Sequence, residues 1–177
     1  MRWSGKSSAS WSDGVFIRSA GPRDLITVQA LLRETWHAAY DGIYGRARVN
    51  QITAEQHAIP ALEARLRRPC AEFIVADDGQ AIAGMAFGAE GREPRLAVLH
   101  QLYVHPSFQR RGIGASLLQE MADSFPNVRA LRVEVEQGNE PALRFFRKNG
   151  FRDTEQPPPG DHAALGVPAL VLEKALS

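Results

Sequence analysis

At 177 residues the chain is one domain by size, long enough for a self-sufficient core. A formal net charge of +1 points to no nucleic-acid partner, and no apolar run nears the roughly 20 residues that span a bilayer, which points to no membrane partner. The single cysteine, Cys70, excludes an internal disulfide and fits a reducing, cytoplasmic compartment.

Residues 1–14 are rich in Ser, Gly and Trp, lack an apolar signal-peptide centre, and read as a flexible leader to one domain over 15–177. Val15 to Ser19 is a short strand. Pro22 to about Asp41 reads as a helix with Leu25, Val28, Leu32, Trp36 and Ala39 on one stripe. Thr53-Ala-Glu-Gln56 has the form of a capping box, predicting a second helix that Pro60 breaks and restarts, to about Arg67. Ala71 to Ala76 and Ala81 to Gly88 are strands joined by an Asp-Gly turn at 77–80. After a Gly- and Pro-containing loop, Leu96 to Val104 is a buried strand, bulky and free of Gly or Pro.

His105-Pro-Ser-Phe108 then breaks the chain, and Gly112 to Phe125 reads as a helix with Ile113, Leu117, Met121 and Phe125 four apart. Leu131 to Val135 is a strand, Asn139 caps a helix carrying Ala142, Phe145 and Phe146 on its apolar face, and Gly150 ends that helix. Phe151 opens a further strand, residues 156–160 form a rigid triple-proline loop, and Val167 to Leu172 is the last strand. This alternation predicts a layered α/β fold with a mixed sheet.

The junction at 104–116 has a specific physics. A helix start leaves several N–H groups unpaired, and they carry partial positive charge. Gly112 and Gly114 let an anion approach the backbone, and Arg110 and Arg111 add full charge beside it. The spacing fits neither a Walker loop nor the dinucleotide fingerprint, whose third glycine would fall where Leu117 stands.

Gln109-x-x-Gly112-x-Gly114, after a strand ending in Val-x-Pro, resembles the acetyl-CoA-binding motif of the GNAT N-acetyltransferase family. Asn139-x-x-Ala142, followed by Phe146 and Gly150-Phe151, is similar to the family's second motif, Asn-x-x-Ala-x-x-x-Tyr-x-x-x-Gly-Phe. The resemblance covers roughly residues 15 to 175. It implies a mostly antiparallel central sheet flanked by helices and splayed between the fourth and fifth strands. It also implies acetyl-CoA as cosubstrate, no metal, a small-molecule amine as acceptor, and a monomer or homodimer. The pantetheine arm would lie on backbone groups of Leu102, Tyr103 and Val104 and meet Asn139. The pyrophosphate would sit on the amides of Arg110, Arg111, Gly112, Ile113 and Gly114 and near Ser116, with Gln109, Ala115 and Phe146 also expected to bind the cofactor.

Acetyl transfer needs a neutral amine, and a lysine-type amine near pKa 10.4 costs roughly 4–5 kcal/mol to deprotonate at pH 7. Two residues are candidate bases. Glu134 stands five before Asn139, a spacing similar to that of the catalytic Glu in ribosomal-protein N-terminal acetyltransferases. His100 lies in a Leu-His-x-Leu-x-Val-His arrangement that resembles the arylalkylamine acetyltransferases, and imidazole suits proton relay. The family's usual acid, a Tyr, is here Phe146, which packs but has no proton to give. That departure keeps open a non-catalytic domain that only holds acetyl-CoA. A protein or peptide amine is the alternative acceptor. Residues 20–70 and 155–167 are expected to shape the acceptor pocket.

Overall fold

The computed structural model describes residues 14–155 and 166–176, so residues 1–13 of the expected leader and the triple-proline loop lie outside the described residues. The elements are β1 (Phe16–Ser19), α1 (Leu25–Tyr44), α2 (Arg46–Gln56), α3 (Ile59–Arg67), β2 (Ala71–Asp77), β3 (Ile82–Glu90), β4 (Leu96–Val104), α4 (Ile113–Asp123), β5 (Ala130–Glu136), α5 (Glu140–Lys148), β6 (Arg152–Asp153) and β7 (Ala169–Ala175).

Three expectations before β2 need correction. The first helix continues through Gly42 to Tyr44, and the second starts at Arg46 rather than after Thr53. Thr53 caps nothing: its hydroxyl donates to the Val49 carbonyl at 2.9 Å inside α2. Pro60 sits in the first turn of α3, where its missing N–H costs no helical bond. On α1 the buried stripe ends on Tyr40, and Ala39, expected in it, is exposed.

The sheet order is β1-β2-β3-β4-β5-β7-β6, antiparallel everywhere except between β4 and β5. That one parallel pairing runs from Leu96 with Ala130 to Leu99 with Val133 and stops. Both strands continue past it, to Val104 and Glu136, so they part as the motifs implied. β4 stays on β3 beyond the parting, with His100 as an extra residue between Leu99, opposite Gly88, and Gln101, opposite Phe87. At the paired end the Arg132 guanidinium holds Glu93 at 2.6 Å and Glu173 at 3.0 Å, tying β5 to β7 and to the β3–β4 loop.

One face of the sheet carries α4 and α5 over Leu99, Leu131, Val133 and Val135; the other carries α1 and α3 over Phe73, Val75, Met85 and Phe87. Two glycines of β3 let α4 lie close. A Cβ on Gly84 would stand 2.9 Å from the Tyr103 carbonyl oxygen and 3.1 Å from Leu117, and one on Gly88 would meet the Met121 sulfur at 2.8 Å. Backbone cannot yield as a side-chain tip does. Gly84→Ala is therefore expected to cost about 1–3 kcal/mol by overpacking, read as a lower midpoint in thermal or urea unfolding. Gly42→Ala, in open space inside α1, is expected to stabilise by about 0.5–1 kcal/mol in the same assay.

Candidate functional site

A cavity of about 950 Å³ opens where β4 and β5 part. His105 N–H donates to Ala83 on β3 at 2.8 Å. By strand alternation the amides of Val104 and Leu102 then point away from β3, toward the gap. The Val104 carbonyl is already taken there, by the Gln109 side-chain amide at 3.0 Å. Gln109 thus latches the turn to the end of β4. His105 shapes the same turn: its Nδ1 accepts from Ser107 N–H at 3.2 Å, which leaves Nε2–H to donate to Glu34 at 2.6 Å.

The turn into α4 is backbone-strained. Arg110 has φ 64° and Gly112 φ 79°. The first helical bond runs from Ser116 N–H to the Gly112 carbonyl, so the amides of Ile113, Gly114 and Ala115 precede it without intrahelical partners. The two glycines differ in what they allow. Nothing lies within 4 Å of a Cβ built on Gly112, whereas one on Gly114 would be 3.2 Å from the Phe145 ring. Gly112 provides the left-handed turn and open space; Gly114 lets α5 close on α4.

Gln109, Arg110, Gly112, Ile113, Gly114 and Ala115 line the cavity; Arg111 and Ser116 do not. The Arg111 guanidinium lies over the Phe108 ring at 5.3 Å. Leu102, Tyr103, Val104, Asn139 and Phe146 line it as well. Asn139 serves two neighbours: its Oδ1 accepts from Ala142 N–H at 3.2 Å, capping α5, and its Nδ2 donates to Tyr40 Oη at 3.1 Å. Phe146 is buried between Phe145 and Phe151, each 5.2 Å away between ring centroids in edge-to-face geometry.

Both candidate bases face this space. Glu134 is the first residue of β5 past the parting. His100 stacks on Phe87 at 5.7 Å between centroids. Three further groups escaped the sequence reading. Arg144 and Lys148 of α5 line the cavity near the glycine turn, making that end basic with Arg110. At the other end Glu136, 3% exposed, joins Glu134 and the Tyr40 ring. These charges had no motif; only the packing of α1 and α5 around the gap brings them together.

The basic end fits the phosphates of a coenzyme: partnerless amides at a helix start, open space over Gly112 and three cationic side chains are what a diphosphate needs. The sequence model of the acetyltransferase (GNAT) family matches residues 29–151, and the chain belongs to that family. N-alpha-acetyltransferase RimI of Mycobacterium tuberculosis is 33% identical over 94 residues, 52% of this chain and 59% of the relative. Peptidyl-lysine N-acetyltransferase YiaC of Escherichia coli is 34% identical over 79 residues, 45% of this chain and 48% of the relative. The chain thus matches only about half the length of these two curated relatives. The PaiA N-acetyltransferase of Thermoplasma acidophilum, solved with coenzyme A, shares the fold at TM-score 0.80 and 23% identity, over 92% of this chain and 99% of that one. Among the described residues no helix is long and apolar enough to cross a membrane.

Behind the cavity wall, His57 is 2% exposed, and burial, then the nearby Arg65, lower its pKa to about 3. The folded protein keeps this ring neutral, while the unfolded chain protonates it near 6.5. Between those values the unfolded state binds the extra proton, so stability falls as pH falls from about 6.5 toward 3. Urea unfolding at pH 7 and pH 5 is expected to show about 2 kcal/mol more acid loss in the wild type than in His57→Gln.

Proposed function

We propose that this chain is an acetyl-CoA-dependent N-acetyltransferase and that its acceptor is the primary amine of a small molecule. The observation that carries the reading is the gap between β4 and β5, basic at the helix turn and acidic at the far end. Its acceptor side is walled by Thr35, Ala38, Ala39 and Tyr40 of α1, with Tyr40 bonded to Asn139 across it. Such a wall suits a small amine better than a long peptide. The two curated relatives favour a second reading: RimI is named for N-alpha acetylation and YiaC for peptidyl-lysine acetylation.

Acetyl-CoA supplies the acetyl group as a thioester; the C–S bond breaks as a C–N bond forms. The amides of Ile113, Gly114 and Ala115 hold the diphosphate, with Arg110, Arg144 and Lys148 around it. The free amides of Leu102 and Val104 hold the pantetheine arm, and an N–H of this strand polarises the acyl carbonyl. Glu134 accepts the proton the amine loses, with His100 as the competing base on the opposite strand. Phe146 cannot protonate the departing thiolate, which leaves that proton to solvent or Tyr103; a thiol pKa near 8.5 makes this tolerable.

The test is acetyl-CoA turnover across a panel of small amines and peptides, read as thiol release and acetylated product. The expected result is transfer, with kcat lowered about a hundredfold or more in Glu134→Gln and KM for acetyl-CoA little changed. A larger loss in His100→Ala would move the base to β4. Tight acetyl-CoA binding with no thiol release for any amine would contradict the enzyme and leave the non-catalytic domain.

A further inference from the structure

Five buried polar atoms that lack hydrogen bonds fall in one place: Trp36 Nε1, Tyr44 Oη, His57 Nδ1, Gln101 Oε1 and Glu136 Oε2. Contacts join them. Trp36 meets His57 edge-on at 5.5 Å between centroids, and His57 Nε2 lies 3.4 Å from Gln101 Nε2. Trp36, Tyr40 and Tyr44 follow one another along α1, at 4.6 and 5.9 Å between centroids. Burial raises the pKa values of Tyr40 and Tyr44; Glu136 adds to the rise, by the hydrogen-bonding approach of its carboxylate and by its charge at Tyr44, and by its charge at Tyr40, where the Asn139 hydrogen bond opposes it.

Glu136 is the member that most needs a partner. A buried carboxylate is costly unless a cation or several donors meet it. Tyr44 lies beside it without a well-formed hydrogen bond, and a phenol would not cancel a full charge in any case. The carboxylate packs against the Gly138 backbone, where a Cβ would stand 3.0 Å from Oε2 and 3.5 Å from Oε1. Glu136 also lines the cavity, next to Tyr40 and Asn139. A carboxylate flanked by two phenol rings is the chemistry that receives an ammonium ion.

Glu136 is not the group nearest the reaction. It lies two residues beyond Glu134 on the same face of β5, a separation of about 6–7 Å along the strand. We propose that Glu136 receives a second positive charge on the acceptor, so the preferred substrate is a linear diamine with nitrogens about 6–7 Å apart, or about four methylenes between them. One nitrogen stands by Glu134 and loses its proton; the other stays charged against Glu136 and Tyr40. This assignment rests on the acetyltransferase reading and adds the acceptor's class to it.

The experiment compares acetyl transfer to diaminobutane and to butylamine, equal in chain length but not in charge, by the wild type and by Glu136→Gln. The wild type is expected to favour the diamine about tenfold to a hundredfold in kcat/KM. Glu136→Gln is expected to erase that preference through the diamine KM, with kcat and the KM for acetyl-CoA within about twofold, which mere structural damage would not achieve. Equal use of both amines by the wild type, or an equal loss for both in the variant, overturns the assignment. A chain-length series on the wild type alone keeps the test decisive if the variant does not fold. An optimum near four methylenes supports it, and a flat or steadily rising series overturns it. Transfer to peptides without diamine preference sinks this inference but not the acetyltransferase; failure to bind acetyl-CoA sinks both.

Discussion

The structure depends on one broken pairing. β4 and β5 share a ladder only to Leu99 and Val133, then separate while β4 remains on β3. Arg132 fixes the closed end through Glu93 and Glu173. At the open end Gln109 holds the Val104 carbonyl, so the glycine turn and the strand end move as one piece. The extra residue at His100 bends β4 where the strands separate. What remains is a strand edge with unspent amides, facing the start of a helix with unspent amides. Two such rows aimed at one gap are a template for an extended ligand carrying amide groups at one end and phosphates at the other.

Charge gives the gap a direction. Arg110 of the glycine turn and Arg144 and Lys148 of α5, whose Phe145 packs on Gly114, line the cavity together with Glu134 and Glu136 of β5. With a formal net charge of only +1, the chain as a whole would steer nothing; the separation of signs within one cavity does. On the proposed function, an anionic coenzyme and a cationic amine would be drawn to opposite ends, with the thioester and nitrogen meeting between them. Asn139 links the two ends, capping α5 with one atom and holding Tyr40 of the acceptor wall with another.

Much of this was legible in the chain itself. The β4–turn–α4 unit and the β5–Asn139–α5 unit are local patterns, with strand, cap and helix each written in a few adjacent residues. The parted strands were implied by the resemblance of these two units to the family's motifs, not by the patterns themselves. The acceptor side was not legible, because nothing local marks it. Gly42 inside α1 looked like a helix end, yet no neighbour opposes the helix there and it runs on to Tyr44. Thr53 looked like a cap but bonds its own helix backbone. Glu136 falls just past the expected strand and no motif singles it out; only α1 packing its tyrosines over β5 makes it a buried carboxylate. Gly84 and Gly88 matter for a similar reason, since the sequence does not show that α4 crosses β3 at those points.

The central claim is that the amides around Gly112 and along the free edge of β4 hold coenzyme A. Amide chemical-shift mapping by NMR, with coenzyme A titrated into isotope-labelled protein, tests it most directly. The account predicts saturable shifts concentrated at Gly112, Ile113, Gly114 and Ala115 and at Leu102 and Val104. No shifts at millimolar coenzyme, or shifts confined to residues remote from this gap, would contradict it.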